Sequence, residues 1–539
     1  MSSQQKPANG KDDAKNASSG ITLFDVAVLV MACSLYMPDQ TTSVASKHLT
    51  VCLDLPAENT GLYFTKLYAS KTLTNFLGST IMLIIQLSAP TYTTILSIIS
   101  IVFMLIVRVL VVIAFYTSDA AVNLYNALIM QALFQGMFQS TFYPVAAEKM
   151  SVLSLAFKLS KIVLWFVQII MDIVIRERAT WMISVHLSIM LCLSVTGSLT
   201  WVISCFSKIS DSGKPALASD SKPGTTAGAK DGQLCPSGNP PKPTDPQKPA
   251  KKQNDDDSWL KIVCIRLLGN RMPHIKEKRC EKGCCDLDEP FSKKPDLTFW
   301  DVVKRVYSPF LMCAIGWPFR TFYQPGILPY ALVDRSLCHP IIITNMFFSF
   351  ILTFIIHFMK QGFKSMSKPW GKAPYGWHMI WFAMVPPILC IPFIHTTLHY
   401  PESIMFRMLR NNRINTGILM LVLSTGTTLI SSMGYIGVSA CSKVEGQPRG
   451  PNSIRFTSLN ALVAQLFASI AYRLSTGYLI LRRKYVDDIC NAAPTDHLSW
   501  FGKMSFWVGK TLTHAWNDFI HEFDGNVRHY ATSSIKAEI

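Results

Sequence analysis

The stretch WMISVHLSIMLCLSVTGSLTWV, from Trp181 to Val202, contains no lysine, arginine, aspartate or glutamate. A helix rises about 1.5 Å per residue and the hydrocarbon core of a bilayer is about 30 Å thick, so about 20 mainly apolar residues cross it. Trp181 to Val202 has that length with no formal charge to bury. Only helices and closed barrels satisfy every backbone group in lipid, and an unbroken apolar run is helical in pattern. Two shorter charge-free runs, Thr80 to Ser88 and Ile95 to Val107, carry the same signal. Over the whole chain 49% of residues are hydrophobic and 16% charged, with mean hydropathy +0.26. Soluble domains carry about 25% charged residues. The chain therefore reads as an all-α polytopic membrane protein.

Working outward, six spans precede a break: Ile21 to Ala45, Phe64 to Ser88, Tyr92 to Tyr116, Ala120 to Tyr143, Val152 to Ile175 and Trp181 to Phe206. Composition then changes. Residues 207–297 are rich in Lys, Pro, Gly, Ser and Asp, and Pro236 to Lys252 repeats Pro and Lys. Such a segment cannot bury a core, so it reads as a disordered basic loop. Five further spans follow: Val302 to Val333, Pro340 to Met359, Gly376 to Leu398, Thr416 to Cys441 and Ser458 to Leu481. That is about eleven spans in a 6+5 arrangement. The expected organisation is a polar cytoplasmic tail (1–20), a six-helix bundle (21–206), the loop (207–297), a five-helix bundle (298–482) and a tail (483–539). In that tail, Trp500 to Phe523 mixes aromatic residues with Lys503, Lys510 and Asp518, the pattern of an amphipathic interfacial helix.

The net charge of +17 is what positively charged cytoplasmic loops produce, and implies no nucleic-acid partner. The positive-inside rule places residues 207–297 and the N-terminus in the cytoplasm. Arg407, Arg410 and Arg413, and Arg482 to Lys484, then face outward against the rule. Met1 to Gly20 lacks the apolar core of a signal peptide, so the first span is expected to serve as the insertion signal. The plasma membrane is the expected location, with an internal membrane as the alternative. The scattered cysteines read as buried thiols.

Polar groups inside lipid are costly and mark function or pairing. In the fourth span, Gln139 offers a donor and an acceptor, suited to a neutral heterocycle or a sugar hydroxyl, or to an interhelical hydrogen bond. In the first, Pro38-Asp39-Gln40 is either a broken cavity helix or its solvated outer end. In the seventh, Arg320 and Gln324 share a face between Pro318 and Pro325, either in a cavity or with Arg320 in a structural ion pair, with Asp172 or Asp39 as candidate partners. Lys158, Lys161, Trp165, Gln168 and Asp172 form a stripe on the fifth span, as a water-filled pathway or as snorkelling lysines would. Arg108 and Arg473 are isolated in sequence and need partners. His395 and His399 lack the glutamate of a zinc-protease motif, and Cys280, Cys284 and Cys285 lack paired zinc spacing. There is no phosphate-binding or dinucleotide loop. The chain thus reads as a non-enzymatic carrier of a small solute, with no cofactor, metal site or catalytic residue.

The 6+5 layout resembles that of the equilibrative nucleoside transporter family, with this chain as a divergent member. Gln139-Ser140-Thr141-Phe142-Tyr143-Pro144-Val145-Ala146 resembles the family's fourth-span glutamine, small residues, aromatic and alanine. Pro38, Gln324-Pro325-Gly326 and Ser432-Met433-Gly434-Tyr435-Ile436-Gly437 fall where the family has comparable first-, seventh- and tenth-span motifs, and Ala461, Ala464, Ala468 and Ala471 supply small residues in the eleventh. The eighth span departs: around Asn345, Phe348 and Leu352 stand where the family has Asp and Arg. The resemblance implies a major-facilitator-like fold and alternating-access transport of nucleosides or nucleobases. The solute would be bound by Gln40, Gln139, Tyr143, Arg320, Gln324 and Asn345. Carriage of another metabolite by a major facilitator, or a non-transporting receptor or scaffold, are the alternatives.

Overall fold

A computed structural model describes residues 23–89, 92–145, 150–176, 178–213, 297–371, 375–444, 450–487, 495, 497–522 and 527. All regular structure among them is helical. The expected disordered loop falls almost wholly outside the described residues. Its first seven positions do not: they continue the helix Ala179–Gly213.

The first half comprises α1 (Leu23–Leu35), α2 (Met37–Val44), α3 (Ser46–Cys52), α4 (Thr60–Ser88), α5 (Thr93–Phe115), α6 (Ala120–Val145), α7 (Met150–Val174) and α8 (Ala179–Gly213). The second comprises α9 (Phe299–Tyr323), α10 (Arg335–Gly362), α11 (Val385–His399, entered through the 3₁₀ turns Gly376–Met384), α12 (Ile404–Leu409), α13 (Arg413–Cys441) and α14 (Pro451–Arg482). A last helix, α15 (Trp500–Ile520), lies along α14. Within the first half α4 packs on α6, α6 on α5 and α1 on α7 and α8. Within the second, α13 and α14 flank α9, and α10 and α11 pack on α13. The halves meet where α4 packs on α14 and α7 on α10.

Among the described residues, five helical stretches are long and apolar enough alone to cross a membrane: Thr93–Phe115, Ala179–Ser207, Arg335–Gly362, Gly376–His399 and Arg413–Cys441. α4, α6, α7, α9 and α14 are as long, at 29, 26, 25, 25 and 32 residues. Several of these carry their polar residues on faces turned into the protein, as with Lys66 and Lys71 on α4 and Gln131 and Gln135 on α6, which are all buried. A mean hydropathy undervalues such helices, because lipid touches only their other face. Ile99, Val102, Phe103, Ile106 and Ile113 on α5 are exposed, as a lipid-facing stripe would be.

Two expected spans are interrupted. The first, Ile21 to Ala45, is two helices, α1 and α2, broken at Tyr36, and α3 follows it after a second break at Ala45. Pro38 cannot donate to the carbonyl of Ser34, so the helical ladder opens there. Arg108, fully buried on α5, fills the gap: its Nη2 donates to Ser34 O at 2.9 Å and Leu35 O at 3.1 Å, and its Nη1 to Ser34 Oγ and Ser194 Oγ at 2.9 and 2.6 Å. The isolated arginine of the third span is thus the partner of the broken first one. The second interruption ends α9 at Tyr323, so Gln324 to Val333 is not helical as expected. Pro325 drives the residue before it out of the helical region, and Gln324 is extended at φ −123°, ψ 134°.

Candidate functional site

A cavity of about 520 Å³ lies between the halves. α2 contributes Asp39 and Gln40, α4 Tyr68, Lys71 and Asn75, and α6 Gln135 and Gln139. From α7 comes Lys161, from α9 Trp317 and Arg320, from α10 Asn345 and Ser349, and from α14 Gln465 and Tyr472. The helical breaks matter here: the kinked α2 and the end of α9 turn Gln40 and Gln324 toward this space.

The amides stand out. Gln139 Nε2 is held by Tyr143 OH at 2.6 Å and by Tyr36 OH, and the two phenols meet at 2.9 Å. Its Oε1 has no hydrogen-bond partner among the described residues. The same holds for Gln40 Oε1, Asn75 Oδ1, Asn345 Oδ1 and Gln465 Oε1. All five side chains line this one cavity. Buried polar atoms are nearly always paired, so five orphaned acceptors around one space ask for a ligand or water bearing donors.

Charge and aromatic surface complete the lining. Among the described residues Asp39 is its only acidic side chain, and Lys71 neutralises it at 2.5 Å. Lys161 and Arg320 remain as cations. Arg320 donates through Nε to Gln324 Oε1 and through Nη1 to Thr428 Oγ1, both at 3.2 Å, and pairs with no carboxylate among the described residues. Tyr68 of the first half stacks on Tyr472 of the second, with ring centroids 5.8 Å apart and an interplanar angle of 22°.

Toward the end carrying residues 55–64 the halves are sealed. Phe64 stacks on Tyr330, Arg335 Nη1 donates to Leu55 O at 3.0 Å, and Arg483 Nη1 to Asn59 Oδ1 at 2.6 Å. Gly61 and Gly326 let the chains touch: a Cβ on Gly61 would lie 2.8 Å from Gly326 O, and one on Gly326 2.0 Å from Thr65 Oγ1.

Of the six residues expected at the site, Gln40, Gln139, Arg320, Gln324 and Asn345 line the cavity. Tyr143 does not, and acts on it by holding Gln139. Gln324 is occupied at both ends of its amide, by Arg320 and, at 3.4 Å, by Met420 O. The ion-pair alternative for Arg320 is corrected: Asp39 is taken by Lys71, and Asp172 by His48 and His339. The α7 stripe divides. Lys161 reaches the cavity, whereas Trp165 stacks on Phe347 and donates to Ile343 O at 3.2 Å, and Gln168 donates to Asp172. The side chain of Lys158 lies outside the described residues. Phe348 and Leu352, read as replacing a charged pair, do not line the cavity; the lining face of α10 is Ile342, Asn345, Met346 and Ser349.

Tyr68, Lys71, Asn75 and Gln465 went unread in the sequence. Their signal was present: Tyr68, Lys71, Thr72 and Asn75 recur at helical spacing in the first half of a long helical span. Asp518 and Glu522 also went unread as partners. With Lys66 and Arg473 they form a buried charge cluster, in which Lys66 Nζ lies 2.6 Å from Asp518 Oδ1 and Arg473 Nη1 2.5 Å from Glu522 Oε2. α15 and the turn that follows it thereby supply the carboxylates, Asp518 and Glu522, for one cation from each half. The helix also exposes Trp500, Phe501, Leu512 and Trp516.

No protein-family model matches the chain, and no curated protein matches it. Among solved structures it is similar to a D-xylose–proton symporter (9% identity, 91% of this chain and 97% of that one, TM-score 0.46). It is similar also to the POT family transporter PepTSo (12% identity, 95% and 99%, TM-score 0.46) and to the nucleoside transporter NupG (9% identity, 95% and 99%, TM-score 0.41).

Proposed function

We propose that the chain is a carrier that moves nucleosides or nucleobases across a bilayer by alternating access. The observation that carries this reading is the set of five amide side chains that line one cavity, each with a buried oxygen unpartnered among the described residues. They match the exocyclic amines, ring N–H groups and hydroxyls of such solutes, and Lys161 and Arg320 can donate to carbonyl oxygens. Tyr68 and Tyr472 offer a planar aromatic wall of the kind that accepts a heterocycle. The volume of about 520 Å³ lies within the range of roughly 300–1,000 Å³ usual for small-molecule sites. Binding groups come from both halves, so bound solute draws the halves together, as rocking around a central site requires.

The test is uptake of labelled nucleosides, nucleobases, sugars and peptides into liposomes holding the purified protein. Saturable uptake of a nucleoside or nucleobase, competed by unlabelled solute, is the expected result. Flux of only sugars or peptides overturns the substrate class, and no flux of any solute overturns the carrier reading.

A further inference from the structure

Outside the cavity, a group of three metal-ligating side chains among the described residues lies at the sealed end. His48 of α3, Asp172 at the end of α7 and His339 on the first turns of α10 converge there from three helices. His48 Nε2 is 3.3 Å from Asp172 Oδ1, and His339 Nε2 is 2.9 Å from Asp172 Oδ2. The three ligand atoms all lie within 4.8 Å of one another. Both imidazoles are buried, with the rings edge to face at a centroid distance of 5.4 Å.

We propose that His48, Asp172 and His339 form a zinc-type divalent metal site that staples the two halves together in this conformation. Two imidazoles and one carboxylate leave a fourth, open position, as in three-ligand zinc centres. Bond lengths of about 2.0–2.1 Å around a tetrahedral ion put neighbouring ligand atoms about 3.3 Å apart. The two imidazoles already approach the two oxygens of this carboxylate at 3.3 and 2.9 Å, and one atom from each residue lies within 4.8 Å of the others, so small shifts reach that spacing. A supporting layer is also present. Gln168 Nε2 donates to Asp172 Oδ1 at 2.7 Å, and Gln168 Oε1 meets Nε2 of the buried His186 at 2.7 Å. Such outer partners fix the orientation of a ligating carboxylate. The Cys338 thiol is turned away, toward Val333 O at 3.5 Å, so the donor set is nitrogen and oxygen. Imidazole ligands favour zinc or cobalt over magnesium and calcium.

The placement gives the site a consequence. His48 and Asp172 belong to the first half and His339 to the second, so separating the halves at this end removes a ligand. A metal that binds only the joined arrangement shifts the equilibrium toward it by about 100-fold at a concentration 100 times its Kd. Arrest of transport by that shift rests on the carrier reading above; the metal site itself does not.

The experiment titrates Zn2+ alone into the purified full-length protein in detergent, by calorimetry and thermal unfolding, with Mg2+ as control. Expected is a saturable, stabilising Zn2+ site whose affinity falls by at least about 10–100-fold in His48→Ala and in His339→Ala, with Gln168→Ala falling within that range. Co2+ reads the donors without any substitution: tetrahedral d–d absorption with no thiolate charge-transfer band is expected, even should the histidine variants fail to fold. Absence of Zn2+ binding, unchanged affinity in both histidine variants, or a thiolate band overturns the site. Zn2+ that binds as described yet leaves uptake by the wild type undiminished overturns the staple, whereas absence of uptake without Zn2+ bears on the carrier reading alone.

Discussion

Replacing Asp518 by asparagine should destabilise the protein far more than its position near the end of the chain suggests. Asp518 is 3% exposed and sits between Lys66 Nζ at 2.6 Å and Arg473 Nη1 at 2.9 Å. Glu522 stands 3.3 Å from the same lysine and 2.5 Å from the same arginine, so two cations face two anions out of water. The neutral amide would leave two buried cations on one carboxylate. Breaking a buried pair from one side costs about 3–5 kcal/mol, because the remaining charge keeps its desolvation penalty. At about 1.4 kcal/mol per factor of ten, that is two to three and a half powers of ten in the ratio of folded to unfolded protein. The double variant Lys66→Met/Asp518→Leu removes one charge of each sign and leaves Arg473 with Glu522. Swapping a whole buried pair for apolar residues is often neutral, so this variant should recover most of the loss. Thermal unfolding of the wild type, Asp518→Asn, Lys66→Met and the double variant in one detergent, at matched concentration, reads the comparison. A double variant as unstable as Asp518→Asn, or additive losses, would refute the charge-balance argument.

At the cavity, Gln139→Leu removes hydrogen bonds worth about 0.5–1.5 kcal/mol each, so solute affinity should fall roughly two- to tenfold per bond while surface expression holds. Unchanged binding would make Gln139 a purely interhelical contact with Tyr36 and Tyr143. Arg320→Lys should impair uptake nearly as much as Arg320→Ala, because an ammonium cannot reach Gln324, Thr428 and a solute in the fixed geometry of a guanidinium fork; normal uptake by the lysine variant would show that charge alone suffices. Gly326→Ala places a Cβ 2.0 Å from Thr65 Oγ1 and 2.8 Å from Leu479 Cδ1. Overpacking of about 1–3 kcal/mol should loosen the sealed end, seen as faster hydrogen exchange across residues 324–333, and unaltered exchange there would count against that seal.

Read alone, the sequence was enough for the helical membrane class, because length and the absence of charge are local properties that lipid tests segment by segment. Trp181 to Val202 needs no neighbour to be recognised. Single polar residues in apolar surroundings were legible for the same reason, and five of the six named ones line the cavity: Gln40, Gln139, Arg320, Gln324 and Asn345. Their partners were not legible. Arg108 serves carbonyls freed by Pro38, and Arg473 serves carboxylates about 45 to 49 positions further on. His48, Asp172 and His339 come together from three separate helices. A buried charge records in the sequence only that it must be neutralised. Which group does so depends on how helices cross, and that is settled by packing between segments far apart in the chain. Likewise Phe348 looked like a lost charged position until the rotation of α10 turned Asn345 and Ser349 to the cavity instead. One turn of register decides such a matter, and only the tertiary contacts of α10 with α7 and α13 set it.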